Sequence, residues 1–547
     1  MPTVYLETFG CQMNELDSEL VAGRLRDLGY RFTADGSQAD IVLYNTCSVR
    51  EHAEQKVWSR LGDLKARKLE RPELVVGVLG CMAERDGEAL MKRMPVVDVM
   101  CGPGELDKLP ELLDNAVRTR RALLSEDETA WKHSAGVAAL QGNTSRRSST
   151  LSVAADSLEL LDLSRSIAPT DAASRSSAYV RITRGCNKFC TYCVVPFTRG
   201  AEIHRPPEHI IDECKRLADA GIIEITLLGQ TVNHYRYEHD AAATVNGILQ
   251  PQKGRSYKGG HRRDPFAGRR VTTFADLLYQ IHEQVPTIQR LRFVTSYPRD
   301  FGIDVLEVMR DCPRICRYIH APAQSGSDRQ LARMNRGYTV SEYDEFVARC
   351  REYLDTPDRP LMLSGDMIVG FSGETEEDFE QSIALLKRSR YKNCFIFKYS
   401  PRPGTVAFDR LPDDVPEEVK RRRNNALLAV QSEISEQISR EQVGRTFDVL
   451  VEGASRRERK RRGMDVKPGS GMVELTVSGR CAQEPVNNDQ IVPSGQTMQL
   501  SGRTDGDQIV LFDLPPSLKA EAMIGTIVRV QIERGERLSL FGRLIAP

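Results

Sequence analysis

Three times within the first 81 residues an apolar run leads directly into a cysteine: 4–9 before Cys11, 41–45 before Cys47, and 74–79 before Cys81. The cysteines stand 36 and 34 residues apart, about the length of one strand-helix-strand unit. That spacing predicts neighbouring parallel strands joined by crossover helices. It also sets all three thiols just past strand carboxyl ends, the edge where open α/β sheets bind ligands. A lone cysteine is commonly just a small buried hydrophobe. Three at equivalent strand ends predict convergence on one point.

At 547 residues the chain exceeds what one hydrophobic core organises, so further domains must follow. Strand and helix alternation defines an N-terminal parallel α/β domain over 1–125. Residues 126–177 read as a flexible Ser-rich insert with no chemistry assigned, since 134–177 alone holds 11 serines. Alternation resumes over 178–439. Strands are expected at 179–183, 224–228, 291–295, 318–320, 362–369 and 394–398, which suits a central partial (β/α) barrel. A Gly, Lys, Arg and His-rich stretch at about 237–270 interrupts it as a surface insertion. A helix over 421–440 leads to a final module, 440–547, whose apolar period changes to two. Short strands at 447–451, 472–477, 509–512 and 526–532 predict a small β-barrel there. The overall class is α/β with a β-barrel at the C-terminal end.

The densest chemical signal is Arg184-Gly-Cys-Asn-Lys-Phe-Cys-Thr-Tyr-Cys193, a C-x3-C-x2-C cluster directly after a strand. Structural zinc asks for four ligands, commonly as two C-x2-C knuckles, and no second knuckle lies nearby. A 4Fe-4S cubane fits better, because Cys186, Cys190 and Cys193 would hold three irons and leave the fourth open to a small molecule. The 13 cysteines are odd in number and no basic, apolar leader precedes them, so a disulfide framework is not expected. No stretch approaches the roughly 18 apolar residues of a spanning helix. The chain reads as cytoplasmic, without a membrane partner. Lys plus Arg and Asp plus Glu are both 76, so a polyanion must be met by a local basic patch.

C-x3-C-x2-C with an aromatic before the last cysteine resembles the signature of the radical S-adenosylmethionine superfamily, which Phe189 and Tyr192 suit. That resemblance implies a 5′-deoxyadenosyl radical made from S-adenosylmethionine chelated at the open iron. The flanks Thr8-Phe-Gly-Cys-Gln-Met-Asn-Glu-Leu-Asp-Ser-Glu19, Asn45-Thr-Cys-Ser-Val-Arg-Glu51 and Gly80-Cys-Met-Ala-Glu-Arg85 are similar to the N-terminal domain of the methylthiotransferases, in the MiaB-type branch. The resemblance implies a second 4Fe-4S cluster on Cys11, Cys47 and Cys81. It further implies methylthiolation of carbon 2 of an isopentenylated adenosine beside the tRNA anticodon, with S-adenosylmethionine as radical source and methyl donor. An electron donor and a sulfur donor are needed, neither identifiable, and the expected state is a monomer. The rival readings are a methylthiotransferase for another modified adenosine or a ribosomal-protein aspartate, and a non-catalytic RNA-binding iron-sulfur sensor.

Similarity continues through Cys193-Val-Val-Pro-Phe-Thr-Arg-Gly200, Met334-Asn-Arg-Gly-Tyr338 and several strand ends. Gly229, Gln230, Ser296, Gln324 and Asp366 are the candidates to line the S-adenosylmethionine or nucleoside pocket. The last module resembles a TRAM domain, with the basic loop 456–462 as a phosphate-attracting patch for tRNA. Departures from the family pattern are Ala321 and Ala323 where Leu and Val are expected, Ser372 for Pro, Thr231 for Asn and His204 for Ser. None is a cluster ligand.

Overall fold

The computed structural model describes residues 2–48, 51–126, 139–141, 158–165, 176–239, 244–245, 248–249, 271–462 and 497–545. The N-terminal domain is a six-stranded parallel sheet. Its central strands, Thr3–Phe9, Ile41–Thr46 and Val75–Gly80, are mainly apolar and are buried on both faces over most of their length, which is what helices on each side of a parallel sheet require. Register aligns their carboxyl ends: Phe9 pairs with Thr46, and Thr46 with Gly80. The three cysteine turns therefore leave the sheet side by side.

Six parallel strands form the central domain in two groups of three, Ser177–Arg181, Glu224–Leu228 and Arg290–Phe293, then Tyr318–His320, Met362–Val369 and Asn393–Lys398. A parallel bridge between Leu291 and Ile315 joins the groups. No pairing closes the first strand on the last among the described residues, so the barrel is partial. The insertion at about 237–270 enters and leaves through the antiparallel pair Arg236–Glu238 and Val271–Thr273, so its two ends are neighbours. The helix expected at 421–440 begins earlier, Glu417–Arg440.

The C-terminal module is a closed barrel of Thr446–Ala454, Met498–Arg503, Ile509–Leu514, Leu540–Leu544 and Ile527–Gly535. Two of these strands were not expected, Met498–Arg503 and Leu540–Leu544. Each carries an internal glycine and arginine and so reads as a turn. The strand expected at 472–477, and Cys481, lie outside the described residues. Buried arginines dock the barrel on the central domain: Arg290 Nη1 donates to the Arg503 carbonyl at 2.8 Å and Nη2 to that of Asp448 at 2.6 Å.

Two expectations are corrected. The basic run 456–462 is not a loop: Arg456–Arg461 is a short helix capped by Ser455, and its own Glu458 pairs Arg461 and Arg462 at 2.5 Å each. The Ser-rich insert is not chemically idle, because residues 158–163 are helical and Asp162 sits buried among Arg181, Arg184 and Arg205. Against the penalty of burial, those guanidinium groups hold the Asp162 carboxyl below the usual carboxylate range. Leucines at 158 and 161 bury on one face, a helical signal too short to stand out among serines.

Candidate active site

Cys11 is the N-cap of helix Gln12–Asp27, Cys81 opens helix Cys81–Arg93, and Cys47 follows its strand by one residue. The turns are bound to each other through amides. Asn14 Nδ2 donates to Asn45 Oδ1 at 3.0 Å and to the Thr46 carbonyl at 2.9 Å, and Asn45 Nδ2 returns a bond to the Asn14 carbonyl at 2.9 Å. This is the physical work of the asparagines beside two of the cysteines. Gly80 has φ +87°, and a Cβ there would lie 2.4 Å from Asn45 Oδ1, so only glycine lets the third turn pass.

A hydrogen bond with Cys47 pulls the Cys11 thiol down to about 5 despite burial, with Arg199 and the backbone N–H groups of Asn14 and Met13 helping. Burial pushes the Cys81 thiol up, with Arg199 opposing. Arg199 belongs to the central domain, yet its Nη2 lies 2.9 Å from Asp17 Oδ2 on the N-terminal helix. It is the cation shared by Cys11 and Cys81.

The second trio rides on a loop closed by the antiparallel pair Thr183–Arg184 and Ile203–His204. Gly185, φ +66°, passes so close to the Ala201 carbonyl that a Cβ would stand 2.1 Å from it. The segment 334–338 grips this loop: Thr191 N–H donates to the Met334 carbonyl at 3.0 Å, and Asn335 Nδ2 to the Phe189 carbonyl at 3.0 Å. Arg336 Nη1 reaches Cys190 Sγ at 3.4 Å, its Nη2 donates to the Pro322 carbonyl at 3.0 Å, and its guanidinium lies over the Tyr297 ring. Burial pushes the Cys186 thiol up and raises Cys193 to about 12.

Cys11, Cys47, Cys186, Cys190 and Cys193 line one cavity of about 640 Å³, and Cys81 is buried behind Cys11 against Arg199. Gly229, Gln230, Ser296, Gln324 and Asp366 line the same cavity. The structure thus brings the sequence candidates together. Asp366 lies within the strand Met362–Val369, at the bounds expected from the sequence, and lines the cavity with His320 Nε2 3.2 Å from its Oδ1. Thr295 (φ 68°) and Gln324 (φ 71°) hold left-handed backbone on the cavity wall, strain of a kind that gathers at functional sites.

The donor set suits iron-sulfur clusters. Among the described residues neither trio brings its three sulfurs within 4.8 Å of one another. A single tetrahedral ion with sulfur at about 2.3 Å would need closer approach, whereas a multi-iron cluster spans more. Thiols raised by burial exchange protons for metal, and Arg199 and Arg336 offset the resulting negative charge. Ser296 Oγ is buried with no hydrogen-bond partner, a polar group at the cavity wall left for a ligand. Sequence reasoning missed Arg199, Arg336 and Asp162 as site residues. Both site arginines lie in the segments 193–200 and 334–338 that carried the family resemblance, which was the available signal.

Residues 3–102 match the family described as "Uncharacterized protein family UPF0004", and residues 180–386 match the radical SAM superfamily. The tRNA-2-methylthio-N(6)-dimethylallyladenosine synthase of Rhodopirellula baltica is 40% identical over 99% of this chain and 95% of its own. That of Porphyromonas gingivalis is 36% identical over 99% and 95%. The chain belongs to the tRNA-2-methylthio-N(6)-dimethylallyladenosine synthase family. It is accordingly a radical S-adenosylmethionine enzyme, and not a non-catalytic sensor. Membership of that superfamily brings a 4Fe-4S cluster and S-adenosylmethionine as cofactors of the synthase. Among solved structures, the radical S-adenosylmethionine methyltransferase TsrM of Kitasatospora setae aligns with TM-score 0.46 and 14% identity, over 74% of this chain and 77% of that one. No helix among the described residues is long and apolar enough to cross a membrane.

Proposed function

We propose that this enzyme replaces the hydrogen on carbon 2 of an isopentenylated adenosine, beside the anticodon of a tRNA, with a methylthio group. In this reading Cys186, Cys190 and Cys193 hold the radical-generating cluster, and Cys11, Cys47 and Cys81 hold a second one. The observation that carries it is the one cavity lined by Cys186, Cys190 and Cys193 together with Cys11 and Cys47. A C–H bond on an adenine ring has no useful acidity, so a side-chain base cannot open it. When bound, S-adenosylmethionine on a three-cysteine 4Fe-4S cluster supplies a radical for that step, and a second such cluster supplies sulfur.

The chain's own residues supply position, charge balance and dryness. Arg336 and Arg199 set a buried cation beside each trio. Ser296, Gln230 and Gln324 offer hydrogen bonds on the cavity wall, and the His320–Asp366 pair presents an imidazole and a carboxylate together. Ala321 and Ala323 are buried in the core of the central domain, and from that segment Pro322 lines the cavity. From the C-terminal barrel, Arg503 and Arg537 line the same cavity. This supports reading the barrel as the RNA-holding module, with phosphates drawn toward the opening through which a splayed-out anticodon-loop base would enter.

Mass spectrometry of tRNA nucleosides from a strain lacking the gene tests the assignment. Methylthio-isopentenyladenosine should vanish and isopentenyladenosine accumulate, with restoration by the wild type and not by Cys186→Ala. An unchanged methylthio nucleoside overturns the substrate.

A further inference from the structure

Two histidines and a glutamate meet at the base of the second cysteine loop, outside both trios. Glu202 and His204 lie where the loop rejoins the antiparallel pair, and His234 ends the short turn Val232–His234 that follows Gln230. One potential ligand atom from each lies within 4.8 Å of the other two. The Glu202 side chain is only 2% exposed. Its Oε2 engages His234 Nδ1, but Oε1 is buried without any hydrogen-bond partner. A plain Glu–His hydrogen bond explains the first oxygen and leaves the second costly. His204 Nδ1 faces Thr183 Oγ1 at 3.1 Å.

We propose that Glu202, His204 and His234 form a zinc-class divalent metal site distinct from the cysteine trios. Two imidazoles and one carboxylate are a recognised donor set for zinc, with a fourth position left to water. Thr183 Oγ1 supplies the outer partner that orients a ligating histidine. His234 is 42% exposed, which gives an ion a way in. The site joins two segments: the strand closing the cysteine loop, and the turn following Gly229 and Gln230. An ion there staples the loop of Cys186 to the cavity wall. His204 is also one of the positions where this chain departs from its family's expected serine, so the site is a property of this sequence and not of methylthiolation in general.

The test uses the full-length enzyme with its iron-sulfur clusters reconstituted, so that cluster cysteines are occupied. The protein is dialysed anaerobically against zinc(II) alone and its metals are counted. About one zinc per chain is expected, held at least about tenfold more weakly by His204→Ser and by His234→Ala, with iron content unchanged. X-ray absorption at the zinc edge should show nitrogen and oxygen neighbours without sulfur. Failure of the wild type to retain zinc overturns the site, as does equal retention by both variants or sulfur around the zinc. His234 is half-exposed, so its truncation decides the matter if the buried His204 variant does not fold. Both readouts are independent of tRNA methylthiolation, so the site can fail while the proposed function stands.

Discussion

Arg199 reaches out of the central domain and sets its Nη2 2.9 Å from Asp17 Oδ2, in the buried space beside Cys11 and Cys81. A second arginine, Arg181, forms an ion pair with Asp17 Oδ1, also at 2.9 Å. The N-terminal sheet is thus held to the barrel at the point where its three thiols gather. Arg199→Ala leaves a carboxylate short of a partner and removes the cation beside Cys11 and Cys81. We expect a loss of about 3–5 kcal/mol in urea unfolding, and, if the first trio holds a cluster of its own, loss of that cluster's iron on anaerobic metal analysis. Arg199→Lys should rescue only part, since an ammonium lacks the planar fork.

If each trio holds its own cubane, anaerobic iron and sulfide counts fall from about eight of each to about four in both Cys11→Ala and Cys186→Ala. The two variants then separate by product. Reduced Cys11→Ala still forms 5′-deoxyadenosine from S-adenosylmethionine, and Cys186→Ala forms none. Equal loss in both would show that the trios are not independent.

Arg336 lies 3.4 Å from Cys190 Sγ, and exchanging it for methionine removes a buried positive charge beside the cluster site. Reduction adds an electron, so the more negative state loses the greater stabilisation and the reduction potential falls. A redox titration followed by electron paramagnetic resonance reads this directly. A potential that rises or stays fixed would show that Arg336 only fills space.

Asp162 stands among Arg181, Arg184 and Arg205, all buried. Asp162→Asn takes from Arg184 the carboxylate it engages, while Arg181 keeps Asp17 and Arg205 keeps Glu159 and Glu213, and about 3–5 kcal/mol of stability should be lost. Denaturant unfolding measures it. A change within about 0.5 kcal/mol, the scale of an ordinary surface substitution, would show that 158–165 does not hold the domain together.

In the metal-free protein the depressed Cys11 thiol, at about 5, should be alkylated fastest near neutral pH and slow as pH falls through 5. Cys193, raised to about 12, should react only in strong base. The sign for stability follows from linkage: a thiol ionising lower in the folded state than its usual value of about 8.5 stabilises fully above that value. The contribution fades as pH drops toward 5. Mass-resolved alkylation across this range, with thermal melts alongside, checks both.

Spacing and strand ends were readable in the sequence because apolar runs and crossover lengths obey the geometry of parallel sheets. Cys11, Cys47 and Cys81 could be placed together for that reason. The strand Met362–Val369 that carries Asp366 was legible for the same reason, an apolar run of the right length. Met498–Arg503 and Leu540–Leu544 were hidden by residues that serve turns elsewhere. Arg199, Arg336 and Asp162 were missed because a buried cation or carboxylate looks like any other charge until its partners, far away in sequence, are known.

The level at which Phe9, Thr46 and Gly80 pair decides what this molecule can tolerate as it diverges. Helices linking those strands can lengthen, shorten or change composition without disturbing the thiols, since hydrogen bonding across the sheet re-imposes their alignment. Deleting a single residue inside one of the three strands would instead turn a sulfur to the opposite face. Descendants of this chain are free to drift in the first respect and held fast in the second.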